Sequence, residues 1–238
     1  MSRIPATAPT VRVIAGFALR ESLRRRVFLV VAILTVVFLA LYGLGVWQAF
    51  REVDEFDIGR GAGVEPETVV GSTLLGLAMF GTLFLGTILA VFLTLGAVRG
   101  DAERGLLQPV LVRPLPRRTL LLGRFAGAAS VCAAYVMVVY LVAMVLTNVA
   151  GGWWPDRILT PGLALAAAVA ILAAIALAGS VFLASTANGI AVFMVFGAGL
   201  VGGLLGQIGE ALTSETLTDV ARVATFVLPF EALYQHGL

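Results

Sequence analysis

The sequence has no lysine, one histidine and one cysteine. Cys132 lies in an apolar run without a second cysteine, which excludes a disulfide framework and a thiolate metal site. His236 alone cannot supply the ligands of a metalloprotease or the base of an intramembrane serine protease. There is no Walker A sequence, and no G-x-G-x-x-G pattern follows a predicted strand. We therefore expect no catalytic residue, no metal site and no cofactor on this chain, and no enzyme activity from it alone.

Charge is scarce too. Only 13% of the 238 residues are charged and 60% are hydrophobic, whereas soluble domains have roughly 25% charged and about 45–50% apolar residues. One soluble core of this size cannot bury such an excess, so lipid must be the solvent for much of the surface. The length suits five or six membrane helices of roughly 20 residues each. We predict an all-α polytopic membrane protein, with residues 1–238 forming a single transmembrane domain.

Five long apolar runs are candidates for the spans. The first is too long for the apolar part of a signal peptide, and no small-residue cleavage site follows it. Residues 185–189, Ser-Thr-Ala-Asn-Gly, predict a tight turn before the fifth run. The last stretch is short and is interrupted by Pro229 and Glu231, so we expect a membrane-dipping segment, or the approach to a sixth span that is absent or incomplete. The runs lie at about residues 27–48, 69–98, 121–149, 161–184 and 190–207.

The arginines predict the orientation. Segments 1–26 and 99–124 hold six each, and only four lie elsewhere. Because cytoplasmic loops carry an excess of basic residues, we place the N-terminus and both segments in the cytoplasm. The loop at 49–68 is then external, and its six acidic residues against two arginines give it a net charge of −4.

Two groups of side chains are candidate anchors at the membrane interface. Residues 11–26 predict a basic amphipathic helix lying in the interface as an elbow before the first span, although a plain juxtamembrane anchor is an alternative. Tryptophans favour the headgroup zone. The predicted anchors are Arg20, Arg24, Arg25, Arg26, Trp153 and Trp154.

The fifth run contains two overlapping G-x-x-x-G patterns. Gly199 pairs with Gly203, and Gly202 pairs with Gly206. Such spacing permits close helix approach, so these four glycines are predicted helix-packing positions. The alternative is that they reflect only the abundance of glycine in membrane helices.

The interiors of the five runs contain no Asp, Glu, Lys, Arg or His, and Arg124 lies at the edge of the third run. Proton- and ion-coupled carriers usually place such groups within their spans, although sodium can be bound by backbone carbonyls at broken helices. If the protein transports a substrate, we therefore expect the energy to enter from outside the membrane. The arginine-rich interval, residues 99–124, is the predicted place of entry.

This interval resembles the type-2 family of ABC transporter permeases. In that family a segment of the form E-R-G-T-L, followed by P-x-x-R and L-x-G-K/R, joins the second and third spans. Here Glu103–Leu106, Pro114–Arg118 and Leu122–Arg124 correspond to its three parts, and the usual threonine after the glycine is missing.

The resemblance implies the membrane subunit of an exporter in the prokaryotic cytoplasmic membrane. It implies pairing with a second permease subunit, expected as a homodimer, and with two copies of a cytosolic ABC ATPase that bind ATP and Mg²⁺. A coupling segment, residues 99–120, would dock on that ATPase while the spans form the substrate path. The expected contact residues are Asp101, Glu103, Arg104, Leu106, Leu107, Val110, Leu111, Arg113, Arg117 and Arg118.

Alternative functions remain open from the sequence. A membrane scaffold could recruit a cytosolic partner through the same interval without transport. A haem exporter of cytochrome c biogenesis belongs to the same class, but histidine- or aromatic-rich external features are not evident. A secondary carrier is disfavoured by the uncharged spans, and the interval could be a generic basic loop.

Overall fold

The structure is a computed structural model that describes residues 26–55, 66–94, 117–155, 157–212 and 215–237. Within these ranges all regular structure is α-helical and there are no strands, which confirms the predicted all-α fold. The seven helices are α1 (Arg26–Glu55), α2 (Pro66–Thr94), α3 (Arg117–Gly151), α4 (Leu159–Phe182), α5 (Ser185–Ala211), α6 (Glu215–Val227) and α7 (Pro229–Gly237).

Helices α1 to α5 are each long and apolar enough to cross a bilayer. Their apolar portions measure 25, 28, 31, 24 and 25 residues. A helix of about 20 residues spans the roughly 30 Å of hydrocarbon, because each residue adds about 1.5 Å. The chain is therefore a multi-pass membrane protein.

The centre of the bundle is formed by α2, α3 and α4, which pack against one another. Leu83 of α2, Val136 of α3 and Leu172 of α4 are completely buried there. At Gly86 of α2, an added Cβ would lie 2.7 Å from Val136 and 2.9 Å from Val169. The absence of a side chain at this position is what lets the three helices approach so closely.

Helices α1 and α5 lie at the outside of this centre. Only 17% of the most apolar stretch of α1 and 22% of that of α5 are buried, against 61% for α2. Large apolar side chains such as Leu29, Val36 and Met194 are exposed on them. Exposed apolar surface of this extent is typical of helices that face lipid.

The connection between α1 and α2 is shorter than the predicted external loop 49–68. Helix α1 continues to Glu55 and α2 begins at Pro66, so both ends of that loop are helical. The last turns of α1 carry the exposed residues Arg51 and Glu52. These residues end the apolar pattern in the sequence, but the helix continues through them. Proline suits the first turn of a helix because its missing N–H would be unpaired there.

The predicted turn at 185–189 is wrong. Those residues form the first turns of α5, and the chain turns at Leu183 and Ala184. Serine, threonine and asparagine favour turns, but they favour helix N-termini as well. Asn188 is buried, and its Nδ2 donates a 2.8 Å hydrogen bond to the Ala176 carbonyl of α4, which ties the two helices together.

After α5, two short helices fold back on the bundle. Helix α6 packs along α5, and α7 packs mainly on α4 with further contacts to α5 and α6. Phe230, Glu231 and Tyr234 of α7 are buried by this packing. The last stretch of the chain, expected to be a membrane-dipping segment or the approach to a sixth span, thus forms two short helices. The second of them, α7, packs against the apolar spans α4 and α5.

Candidate functional site

The predicted coupling segment, residues 99–120, has one buried threonine shortly before it and one near its end. Helix α2 ends at Thr94, which is 1% exposed and whose hydroxyl donates to the carbonyls of Ala90 and Val91. Helix α3 begins at Arg117, and Thr119 in its first turn is 2% exposed. The end of α2 and the first turn of α3 are therefore both packed within protein.

Those two helices belong to the centre of the bundle. They pack on each other, and both pack on α4. Protein interiors are close-packed and resist compression. A displacement of the ends of α2 and α3 near the segment would therefore also displace the centre of the bundle.

Two hydroxyl pairs connect the outer helix α1 to α3. The hydroxyls of Tyr42 and Thr147 are 2.6 Å apart, and Thr147 Oγ1 also donates to the Ala143 carbonyl. Thr35 Oγ1 lies 2.6 Å from the Tyr135 hydroxyl. Hydrogen bonds between membrane helices stabilise their association, by about 0.6 kcal/mol on average. These pairs hold α1 against the centre at two levels.

A groove of about 600 Å³ opens between the end of α2 and the beginning of α5. It lies within one helical turn of Thr94, at the end of the bundle where the coupling segment leaves. Two hydroxyl side chains contribute to a lining that is otherwise apolar. The lining residues are Val91, Phe92, Ser185, Thr186, Gly189, Ile190, Phe193 and Met194. The groove is open to the surface, and its volume lies within the range of about 300–1,000 Å³ of small-molecule sites.

Farther along α5, its glycines receive side chains of the C-terminal helices. A Cβ at Gly199 would collide with the Phe230 ring, and one at Gly203 with the Glu231 carboxylate. One at Gly206 would lie 3.2 Å from the Cβ of Ala221. The predicted packing positions thus face α6 and α7 of the same chain; Gly202 is buried too.

Glu231 is the buried carboxyl of this contact. It is 2% exposed, and its Oε1 accepts a 2.9 Å hydrogen bond from Gln235 Nε2. Gln235 Oε1 in turn accepts one of 3.0 Å from Gln207 of α5. Burial raises the pKa of Glu231, an effect that the bond from Gln235 partly offsets. The pKa of Tyr234 rises to about 12 through burial and the neighbouring Glu231 charge.

The family model described as ABC-2 family transporter protein matches residues 12–235. The chain belongs to this family. Comparison with curated proteins and with solved structures gave no match. The family that the arginine-rich interval resembles is confirmed, and membership supports a transmembrane transporter subunit and does not favour the scaffold alternative. ABC-2 permeases generally pair with a separate ABC ATPase, and the permease is not itself that ATPase.

Most of the predicted contact residues of this ABC-2 permease lie outside the described residues. The structure describes α3 from Arg117 onward, so residues 117–120 of the predicted coupling segment belong to a membrane helix. In the sequence Pro116 comes immediately before it, and proline is common at helix starts because its missing N–H would be unpaired there. The contact residues outside the described part are Asp101, Glu103, Arg104, Leu106, Leu107, Val110, Leu111 and Arg113.

The predicted interface anchors of the permease differ in their surroundings. Arg20, Arg24 and Arg25 lie outside the described residues, and Arg26 is the first residue of α1. The other two anchors are the tryptophans after α3, which ends where Gly152 adopts a positive φ of 65°. Trp153 packs over Gly71 of α2, whereas Trp154 is 48% exposed.

Sequence reasoning missed the hydroxyl pairs, the groove and the Glu231 contact. A signal existed for the hydroxyl pairs, since tyrosine and threonine within apolar runs seek hydrogen-bond partners. For Glu231 the only signal was a carboxyl in an otherwise apolar stretch, and it was interpreted as an interruption of a span. Gly203, over which it packs, lies more than twenty positions earlier in the chain.

Proposed function

We propose that the chain is the membrane subunit of an ATP-driven exporter in a prokaryotic cytoplasmic membrane. Two copies would form a homodimer and bind two copies of a cytosolic ABC ATPase, on which ATP and Mg²⁺ are held. The single structural observation that carries this proposal is that Thr94 and Thr119, which flank the proposed docking residues 101–118, are buried in the bundle. The family match supports the pairing with an ATPase.

The composition of segment 101–118 fits docking on another protein. Leu106, Leu107, Val110 and Leu111 recur at helical spacing and would form an apolar ridge. Glu103 and the flanking arginines can pair with opposite charges on the ATPase. In this mechanism closure of the ATPase dimer displaces the segment, and α2 and α3 transmit that displacement to the substrate path.

The groove between α2 and α5 supports an amphipathic cargo. Ser185 and Thr186 offer hydroxyls to a polar group, while Phe92, Ile190 and Met194 offer apolar surface to a hydrocarbon part. Under the proposed topology the groove opens at the cytoplasmic end of the bundle, where an exported molecule would enter. A relative movement of α2 against α5 would then change the shape of the groove.

Co-purification tests the docking. We expect Glu103→Arg and Arg117→Glu to reduce the amount of ABC ATPase that purifies with the tagged permease from native membranes, measured by quantitative mass spectrometry. Glu67→Arg is the matched control, because Glu67 is an exposed glutamate in the first turn of α2, at the other end of that helix. If a Gly/Ser replacement of residues 101–118 left the ATPase bound in full, docking through this segment would be excluded.

A further inference from the structure

The contact between α5 and α7 contains a carboxyl in surroundings that suit only its neutral form. Phe230 and Glu231 of α7 fit over Gly199 and Gly203 of α5, so the two helices touch where α5 has no side chains. Glu231 is 2% exposed. A buried carboxylate without a cation is costly, and such a group usually takes up a proton instead.

In the part of the chain that the structure describes, no positively charged side chain of the surrounding helices contacts Glu231. Helix α4 has no titratable residue, and α5 presents Gly203 and the neutral Gln207. On α6 the charged pair Asp219–Arg222 is closed on itself at 3.0 Å, with both side chains exposed to solvent.

Among its side chains that the structure describes, helix α7 itself contributes two groups. Tyr234 lies about one turn after Glu231 on α7, and a charge on Glu231 contributes to the raised pKa of its phenol. Gln235 donates a hydrogen bond to Oε1. The second oxygen, Oε2, is buried without a hydrogen-bond partner among the described residues. An ionised carboxylate would leave that oxygen unsolvated, whereas a protonated one carries no net charge there.

We propose that Glu231 is a proton-binding site that keeps α7 seated on the glycines of α5 while it is protonated, and that its ionisation releases α7. The proton would come from the side of the membrane on which α7 lies, which is the external side under the proposed topology. Release would uncover Gly199 and Gly203 on the helix whose other end lines the groove. The inference does not depend on the ATPase and applies to the permease alone.

Release of α7 becomes more favourable as the pH rises, because the released form binds the proton of Glu231 less tightly than the seated form does. The released helix would regain the ordinary carboxyl pKa of 4.5, whereas burial raises the pKa of the seated form. Between these two values each pH unit favours release by about tenfold, because one proton is lost. Above the pKa of the seated form the effect levels off, and below pH 4.5 it vanishes.

Hydrogen–deuterium exchange on the full chain in lipid nanodiscs tests the inference. After correction for intrinsic exchange rates, protection of the α7 amides should fall by about tenfold per pH unit within the window. Glu231→Gln, which mimics the neutral acid, should keep α7 protected at all pH values. Glu67→Gln, an exposed carboxyl, should behave as the unmodified chain does.

Two further measurements remain informative if Glu231→Gln fails to fold. Gln235→Leu removes the bond that favours the ionised form, so the transition should move to higher pH. Infrared difference spectra of the unmodified chain should show loss of a protonated-carboxyl band through the same transition. A pH-independent protection of α7, or the same pH dependence in Glu231→Gln, would overturn the inference.

Discussion

The hydroxyl of Tyr42 on α1 and that of Thr147 on α3 lie 2.6 Å apart inside the bundle. Replacing either by Tyr42→Phe or Thr147→Val should destabilise the protein by about 0.6 kcal/mol, with an upper bound of about 1.7 kcal/mol. The expected signature is non-additivity, because the second substitution removes no further hydrogen bond between α1 and α3. The loss of stability can be measured by thermal unfolding in detergent, with the reaction of the buried Cys132 with a thiol dye as the signal of unfolding. Strictly additive losses would mean that the two hydroxyls are not coupled.

Gly199→Ala should displace α7 from α5. An added Cβ would collide with the Phe230 ring, whereas a Cβ at Gly197 on the same helix meets no atom within 4 Å. Gly197→Ala is therefore the control, and it should be neutral or stabilising by about 0.5–1 kcal/mol, since alanine favours helix more than glycine does. Limited proteolysis after α5 should be faster in Gly199→Ala only. Equal rates in the two variants would show that α7 does not need the glycine.

Filling the groove should weaken the response to an amphipathic cargo. Met194 lines the groove and is 71% exposed, while Val201 is 56% exposed on α5 outside it. We expect Met194→Trp to reduce the stimulation of ATP hydrolysis by lysophosphatidylcholine in the reconstituted complex. Val201→Trp should leave that stimulation unchanged. Equal loss in both variants would assign the effect to general perturbation of α5.

Stability should depend on pH through Glu231. Burial raises the pKa of Glu231 above 4.5, so the folded state holds its proton more tightly than the unfolded state does. The resulting stability is fully present below pH 4.5 and is lost as pH rises through the folded pKa. Melting temperatures by circular dichroism should fall over that window in the unmodified chain and in Glu67→Gln. In Glu231→Gln this component of the fall should be missing.

The five spans could be predicted because lipid imposes a simple requirement. Every lipid-exposed segment must be apolar and must satisfy its own backbone hydrogen bonds, so the apolar runs mark the helices. Their ends could not be predicted as well. The last turns of α1, through Glu55, are polar, and Ser185 is a residue type that begins helices and turns alike.

The contacts between helices depend on pairs of residues that lie far apart in the sequence. The glycines of α5 indicated close packing, but not that the partners are Phe230 and Glu231 of the same chain. Likewise Tyr42 and Thr147 are separated by 105 positions. Composition determines that such residues need partners, while only the packing of the whole bundle determines which partners they have.

Transmission of ATP binding into the bundle is the central claim, and one distance tests it most directly. Spin labels on Leu77→Cys of α2 and Val201→Cys of α5, both exposed positions, report the separation of these helices in the complex with its ATPase, while buried Cys132 stays unlabelled. We predict that ATP and Mg²⁺ shift this distance, and that no shift occurs when a Gly/Ser linker replaces residues 101–118, because the ATPase then no longer docks. An unchanged distance in a complex that hydrolyses ATP would contradict the account.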